Sequence, residues 1–266
     1  MPALAVTAFV AAFALSAGLS PGRTVLLTAA VFAGQLSVGW SNDYLDAGRD
    51  SAAGRSDKPI PAGLTAARAV GLGALLALAC CVVLSALLGT RPAVIHLTAV
   101  GSAWTYNGWL KFTRLSFLPY VVSFGLVPAV LVAATLPGSP TPELAVPVAG
   151  GLLGASAHFA NTIGDERADA VTGVRGLPQR IGPRASAAVS AVLVVLAAVI
   201  LLVIAGGRPV TILFLVGATV LAGAGLLDSV FRRTPGTALA FRLNVAAAAL
   251  VVTGFVASGA ALTPQA

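Results

Sequence analysis

Residues 24–50 read TVLLTAAVFAGQLSVGWSNDYLDAGRD, an apolar segment that ends in a cluster of acidic residues. A helix needs roughly 20 mainly apolar residues to cross a bilayer, and this segment supplies most of that length. If the helix continues past residue 41, Asp43, Asp46 and Asp50 lie on one face, because the second and third follow the first by three and seven residues. The stretch therefore predicts a membrane helix that presents three carboxylates at one end.

The composition of the whole chain favours the same environment. Of the 266 residues, 58% are hydrophobic and 9% are charged, and the mean hydropathy is +0.94. A soluble domain of this length cannot bury so much apolar surface, so we expect a multi-pass protein with the lipid bilayer as its partner. Basic loops at the membrane surface explain the net charge of +7. We therefore expect no nucleic-acid partner and no obligate protein partner.

Charged, Pro-rich and Gly-rich breaks divide the chain into nine apolar spans, so we expect nine transmembrane helices in one all-α domain, residues 1–266. The first span lacks the basic flank and cleavage site of a signal peptide, and we expect it to stay in the membrane. The predicted spans are residues 3–19, 24–41, 66–88, 92–104, 118–136, 144–161, 185–205, 210–227 and 238–262.

The basic residues predict how these spans are oriented. Of the 16 Lys and Arg residues, all except Arg23, Arg91 and Arg208 lie in or beside the loops after the second, fourth, sixth and eighth spans. Cytoplasmic loops are enriched in Lys and Arg, so we expect these loops and the N-terminus in the cytoplasm and the C-terminus outside. Every acidic residue except Glu143 lies on the same side. The chemistry is therefore expected to face the cytoplasm.

The three aspartates of the first cluster repel one another unless a cation holds them together. Mg²⁺ prefers oxygen ligands and is usually bound by one or two carboxylates, while waters and phosphates complete its shell. An acidic residue at a helix end is often a solvated cap, but a cluster at a membrane edge is costly without a partner. We therefore predict that Asp43, Asp46 and Asp50 bind a metal that meets a phosphate, with Asn42 beside that phosphate.

A second acidic motif ends the sixth span in a similar way. His158, Asn161, Asp165 and Asp169 follow one another at intervals of three, four and four residues, which places them on one helical face. We predict Asp165 and Asp169 as further metal ligands and Asn161 as a phosphate ligand, and we expect both motifs at the same mouth of the bundle. His158 is equally well interpreted as a histidine that packs between helices.

Each acidic motif is followed by a basic, turn-rich loop, and a third basic segment follows the fourth span. Arg binds phosphate oxygens bidentately and Lys binds them as a point charge, so carboxylates with a metal and nearby cations predict a diphosphate clamp. Other basic residues at span ends, such as Arg68 and Arg184, are interpreted as contacts to lipid headgroups. The predicted diphosphate ligands in the basic segments are Arg55, Lys58, Asn107, Lys111 and Arg175, with Asn107 and Lys111 one helical turn apart.

These motifs resemble those of the UbiA superfamily of intramembrane prenyltransferases. Asn42-Asp43-x-x-Asp46-x-x-x-Asp50 matches the first aspartate motif of that family, and Asp165-x-x-x-Asp169 with the following Leu177-Pro178 turn is similar to the second. The basic segments are similar too, and the resemblance covers essentially the whole chain.

The resemblance implies a UbiA-like bundle with a central apolar cavity that is open to lipid. It also implies a Mg²⁺-dependent enzyme that transfers the prenyl group of an isoprenyl diphosphate to a small aromatic or polar acceptor and releases pyrophosphate, in isoprenoid and quinone biosynthesis. In this scheme two Mg²⁺ ions bind the diphosphate and the acceptor attacks an allylic cation. The expected catalytic residues are Asp43, Asp46, Asp165, Asp169 and Lys111.

Two other functions fit parts of the sequence. A terpene cyclase of the same family would ionise the same substrate without an acceptor. A cation transporter would use the acidic residues as a relay, but such residues usually lie near the membrane midplane, whereas these lie at span ends. No residue selects the prenyl chain length or chooses among hydroxybenzoate, dihydroxynaphthoate, homogentisate, a tetrapyrrole and a glycerol phosphate as the acceptor.

Overall fold

The computed structural model describes residues 2–135, 141–231 and 238–259, with the backbone alone at residues 2, 5, 165–168, 170, 171, 238 and 240. The regular elements in these ranges are all helices, which confirms the all-α prediction. In chain order they are α1 (Pro2–Ser16), α2 (Pro21–Ala52), α3 (Ala67–Leu88), α4 (Thr90–Gly108), α5 (Leu118–Gly125), α6 (Val127–Thr135), α7 (Ala145–Thr172), α8 (Leu177–Ile181), α9 (Pro183–Ile204), α10 (Pro209–Phe231) and α11 (Ala238–Ala257), with a 3-10 turn at Leu110–Phe112 before α5.

Each predicted span overlaps one of these helices, except the fifth, which overlaps both α5 and α6. Within the described ranges, five segments are long and apolar enough to cross a membrane, namely α2, α3, α5 together with α6, α9 and α10. Shorter apolar helices lie within α1 and α11. The chain is thus a multi-pass membrane protein, while the number of nine spans stays a prediction.

The fifth predicted span is divided into two helices. α5 ends at Gly125 and α6 begins at Val127. Pro128 has no backbone N–H to donate to the carbonyl of Phe124, so a continuous helix would lose a hydrogen bond at this point. The apolar composition of the span does not reveal this break, because it is the same on both sides.

The helices form two compact units. The first comprises Met1–Leu110 and Ala129–Pro140, and in it α2 packs against α1, α3 and α4. Arg23, near the start of α2, donates from Nε to the carbonyl of Ala134 (2.8 Å) and from Nη2 to that of Leu88 (2.9 Å). These carbonyls belong to the last turns of α6 and α3, where backbone acceptors lack helical partners. Arg23 therefore ties three helix ends together.

The second unit comprises Lys111–Pro128 and Thr141–Ala266. Here α7 packs against α5, α9 and α11, and α10 packs against α9 and α11. Gly154 lets α7 approach α5 closely, because a Cβ atom at this position would lie 2.4 Å from the carbonyl oxygen of Tyr120. Small residues at helix crossings allow this kind of backbone contact in membrane proteins.

A buried polar network joins α7, α9 and α11 in the second unit. Asn244 Nδ2 donates to Ser156 Oγ (2.9 Å) and to Ser190 Oγ (2.5 Å). Each serine hydroxyl also donates to the main-chain carbonyl of the other serine, at 2.8 and 3.0 Å. A polar group left unpaired in apolar surroundings is costly, so this network restricts how the three helices pack.

Candidate functional site

The first acidic motif lies on a continuous helix, as predicted. α2 runs to Ala52, so the three aspartates share one face of its last turns. Lys58, in the following loop, reaches back to this face, with Nζ 2.7 Å from Asp43 Oδ1 and 3.4 Å from Asp50 Oδ2. Arg49 forms an ion pair with Asp46. Lys58 therefore bridges Asp43 and Asp50, while Arg49 neutralises Asp46.

The charge of Lys58 is fixed by this arrangement. Burial of the ammonium group favours its neutral form, but the hydrogen bond and ion pair with Asp43 and the ion pair with Asp50 outweigh that effect, so the pKa of Lys58 is raised above its ordinary value. Lys58 is consequently cationic at neutral pH. It belongs to the acidic cluster in this structure.

The second predicted diphosphate ligand of this loop, Arg55, contacts a carboxylate of its own. Its Nε atom lies 2.9 Å from Asp57 Oδ1 and its Nη2 atom 3.0 Å from Asp57 Oδ2. The hydrogen bond from Arg55 lowers the pKa of Asp57 below its ordinary value. Arg55 and Asp57 thus form a bidentate pair on the loop between α2 and α3.

The aspartates of α2 fit a divalent metal by their donor type. Asp50 Oδ2 is buried, and Lys58 Nζ, 3.4 Å away, is the cation that faces it in this structure. Among the side chains that the structure describes, no three His, Cys, Asp or Glu residues converge as a complete metal site. Mg²⁺ usually takes one or two protein carboxylates and completes its shell with water and substrate oxygens, so the carboxylates of α2 are suitable donors for it.

The second acidic motif also lies on one helix. α7 extends from Ala145 to Thr172, so Asn161, Asp165 and Asp169 succeed one another at single-turn intervals, as predicted. The side chain of Asp165 lies outside the described residues. Gln179 on α8 donates from Nε2 to Asp169 Oδ2 at 2.7 Å and thereby orients this carboxylate. The sequence does not predict this role of Gln179, because nothing in the spacing of the motif points to a residue ten positions later.

His158 takes part in helix packing. Its Nε2 atom lies 3.0 Å from Ser116 Oγ, and its ring centroid lies 4.7 Å from that of Tyr120. The Leu177 main-chain N–H donates to the same Ser116 hydroxyl at 3.0 Å. Ser116, His158 and Leu177, which we call the serine clasp, therefore join the segment before α5, the middle of α7 and the start of α8.

The third basic segment differs from its prediction in one respect. α4 ends at Gly108 and a separate 3-10 turn carries Lys111, so Asn107 and Lys111 are not on one continuous helix. Asn107 is buried and its Nδ2 atom donates to the carbonyl of Val38 and to Ser41 Oγ, both at 2.8 Å. Lys111 is also buried. Asn107 thus joins α4 to α2, and the assignments of Asn42, Asn107, Lys111 and Asn161 to diphosphate binding stay predictions.

Arg175 lies in a cleft of the second unit, which the sequence pattern does not predict. The cleft has a volume of about 610 Å³ and is lined by Arg114, Arg175, Leu177, Gln179, Arg180 and Ile181. We call it the arginine cleft. Its three arginines come from two segments of the chain, one before α5 and one at α8.

Comparisons with known proteins identify the family. The model of the UbiA prenyltransferase family matches residues 3–247. No curated protein matches the chain significantly in sequence.

Solved structures with a similar fold include the following three. A UbiA homologue from Aeropyrum pernix K1, in its apo form, has a TM-score of 0.73 and 17% identity, covering 94% of this chain and 95% of its own. A UbiA homologue from Archaeoglobus fulgidus bound to GPP and Mg²⁺ has a TM-score of 0.69 and 15% identity, covering 97% of both chains. A digeranylgeranylglyceryl phosphate synthase has a TM-score of 0.67 and 14% identity, covering 95% of this chain and 92% of its own. With a family match over nearly its whole length and the same fold in these structures, the chain belongs to the UbiA prenyltransferase family.

Proposed function

We propose that this membrane prenyltransferase uses Mg²⁺ to transfer the prenyl group of an isoprenyl diphosphate to a small aromatic or polar acceptor, with release of pyrophosphate. The observation that carries the proposal is the acidic cluster of α2, in which Asp43, Asp46 and Asp50 share one helix face. Lys58 pairs with Asp43 and Asp50, and Arg49 pairs with Asp46. Carboxylates held next to cations suit a metal and a diphosphate together, since each charge of the ligand meets an opposite charge of the chain.

The structural relatives support the choice of donor and metal. UbiA homologues from Archaeoglobus fulgidus are described in complex with GPP and Mg²⁺ and with DMAPP and Mg²⁺. A further relative is a digeranylgeranylglyceryl phosphate synthase. These complexes favour an isoprenyl diphosphate and Mg²⁺ for this chain as well.

The aspartates of both motifs are proposed to hold the metal, which when bound would neutralise the charge of the departing diphosphate. Lys111 and Arg55 supply further positive charge to the diphosphate, as does Lys58 at the edge of the α2 cluster. The remaining diphosphate ligands in this proposal are Asn42, Asn107, Asn161 and Arg175. The expected central apolar cavity would keep water away from the prenyl cation, so that the acceptor reacts with it first.

An assay of product formation tests this function. Purified protein in lipid nanodiscs is incubated with Mg²⁺, a series of isoprenyl diphosphates and a panel of hydroxybenzoate, dihydroxynaphthoate, homogentisate and glycerol phosphate acceptors. We expect a prenylated acceptor and one pyrophosphate for each transfer. A prenyl-derived product without any acceptor would instead identify a cyclase, and the absence of pyrophosphate release with every donor would overturn the proposal.

We further propose that residues 1–266 form one functional domain with cytoplasmic motif loops, a cytoplasmic N-terminus and an external C-terminus. The distribution of Lys and Arg supports this orientation. A cysteine introduced into the loop after α2 should be labelled by a membrane-impermeant thiol reagent only after the cells are opened. Labelling of that loop in intact cells would contradict the orientation.

A further inference from the structure

The amide group of Gln179 is bonded at its nitrogen but not at its oxygen. Its Nε2 atom donates to Asp169 Oδ2 at 2.7 Å, while its Oε1 atom is buried and accepts no hydrogen bond from any described residue. The opposite orientation of the amide would place two acceptor oxygens against each other, so Asp169 determines which amide atom faces it. A buried acceptor without a donor lowers the stability of a fold. Stability alone therefore does not account for Gln179.

Two neighbouring segments hold the short helix that carries Gln179. The Leu177 main-chain N–H donates to Ser116 Oγ at 3.0 Å, and Ser186 Oγ on α9 donates to the main-chain carbonyl of Pro178 at 3.2 Å. α8 has only five residues, and both contacts lie within two residues of Gln179. The amide is consequently presented to Asp169 from a fixed backbone, as is required of a residue that orients another.

Asp169 lies where a carboxylate does not favour its own helix. It belongs to the last turn of α7, which ends at Thr172, and the helix dipole disfavours negative charge at a C-terminus. A bound cation would offset this cost. The hydrogen bond from Gln179 adds no charge to the site, whereas Asp46 of the first motif is paired with the cation of Arg49.

A hydrogen bond of this kind affects how a carboxylate binds a metal. It restricts rotation of the carboxylate, so that less conformational freedom is lost when a cation binds. Residues that hold metal ligands by hydrogen bonds commonly matter for affinity, and their replacement typically weakens metal binding by about 10- to 100-fold.

We propose that Gln179 is a positioning residue for Asp169, a metal ligand in the proposed function. Its amide holds the carboxylate in the orientation that binds Mg²⁺ and leaves the negative charge of the carboxylate intact. This inference rests on the proposed function and deepens it, because it adds to the second metal-binding motif a residue from a different helix.

The test measures binding of Mn²⁺, which takes the same oxygen ligands as Mg²⁺, to the protein in phosphatidylcholine nanodiscs with geranylgeranyl thiolodiphosphate. Free Mn²⁺ is quantified by electron paramagnetic resonance, and nanodiscs without protein give the baseline. Gln179→Met keeps the length of the side chain but removes the donor, and we expect about tenfold weaker binding. Gln179→Lys keeps a donor but places a cation beside Asp169, and it should weaken binding at least as much.

Two controls separate positioning from a general effect on packing. Ile181→Met introduces the same residue on the same short helix, at a position that is 39% exposed, and its Mn²⁺ affinity should equal that of the wild type. In an Asp169→Ala background, Gln179→Met should have no further effect on affinity, because the residue through which it acts is absent. The melting temperature of each variant verifies that it is folded.

Three results would overturn the inference. Equal Mn²⁺ affinity in the wild type and Gln179→Met would do so and leave the proposed function intact. A further loss of affinity when Gln179→Met is added to Asp169→Ala would show that the effect does not pass through Asp169. Absence of Mn²⁺ binding to the wild type would overturn both this inference and the role of a metal in the proposed function.

Kinetics give a second readout. With saturating donor and acceptor, Gln179→Met should raise the Mg²⁺ concentration that gives half-maximal pyrophosphate release about tenfold, and excess Mg²⁺ should restore the wild-type kcat. A kcat that stays low at every Mg²⁺ concentration would contradict a positioning role. Absence of pyrophosphate release with every donor, combined with Mn²⁺ binding that depends on Gln179, would refute the proposed function alone.

Discussion

Replacement of Lys58 by Gln should destabilise the metal-free protein and make it more responsive to Mg²⁺. The ammonium group lies 2.7 Å from Asp43 and 3.4 Å from Asp50, and at an effective dielectric constant of about 20 these distances correspond to roughly 5 to 6 kcal/mol of Coulomb attraction each. Desolvation offsets most of this energy. The three side chains are 14% to 28% exposed, between the surface and buried cases, so we expect a net loss of about 2 kcal/mol.

The assay is thermal denaturation in nanodiscs with and without Mg²⁺. Without the metal, Lys58→Gln should melt about 5 °C below the wild type, whereas Arg68→Gln, which changes an exposed arginine, should not. Mg²⁺ should raise the melting temperature more in Lys58→Gln than in the wild type, because it replaces the missing cation. Equal melting temperatures without Mg²⁺, or an equal response to it, would refute this account of the acidic cluster.

The ion pairs of Lys58 with Asp43 and Asp50 also predict how the stability difference between the wild type and Lys58→Gln depends on pH. The folded-state pKa of Lys58 lies above its ordinary value, so its contribution to stability is fully present below the unfolded-state pKa of about 10.4. It is lost as the pH rises through the folded-state pKa. The difference in melting temperature between the wild type and Lys58→Gln should thus be constant between about pH 6 and 9. A difference that disappears in that interval would contradict the ion pairs.

Three further substitutions test the packing that positions the site, each by its melting temperature. Gly154→Ala should cost about 1 to 3 kcal/mol, because its Cβ atom would lie 2.4 Å from a main-chain oxygen of α5; Gly223→Ala, which meets open space, should cost nothing, and equal effects would contradict the close helix contact. Asn244→Leu should cost about 1 to 2 kcal/mol, since it removes three buried hydrogen bonds with Ser156 and Ser190. An unchanged melting temperature would exclude the polar network as a stabilising feature. Ser116→Ala should cost a similar amount, about 1 to 2 kcal/mol, because it removes the hydrogen bonds with His158 and Leu177. An unchanged melting temperature would show that the serine clasp does not stabilise the packing of these segments.

The helices and the first acidic motif were predictable because their signals are local. An apolar run followed by Asp43, Asp46 and Asp50 at helical spacing predicts both the helix and the shared face, and α2 has both. The break at Pro128 was missed, although a proline inside a span is a local signal, because hydropathy alone defined that span. Pro128 interrupts the helix through its backbone, and the mean hydropathy of the span does not record an effect of that kind.

Contacts between distant segments were not predictable in this way. Gln179 on α8 donates a hydrogen bond to Asp169 on α7. Ser116 contacts His158 and Leu177, which lie 42 and 61 positions later in the sequence. Neither contact leaves a periodic pattern in the sequence. Lys58 was expected to bind the substrate as a neighbour of the acidic motif, and the structure shows in addition that it binds the motif itself.

The measurement that tests the central claim most directly is Mg²⁺-dependent pyrophosphate release from geranylgeranyl diphosphate, compared between the wild type and Asp46→Asn and Asp169→Asn. We predict release only with Mg²⁺ in the wild type, matched by prenylated product, and a loss of about 100-fold or more in both variants, because each removes a proposed metal ligand. Undiminished release in folded Asp46→Asn or Asp169→Asn protein would contradict the assignment of the two acidic motifs to the donor diphosphate.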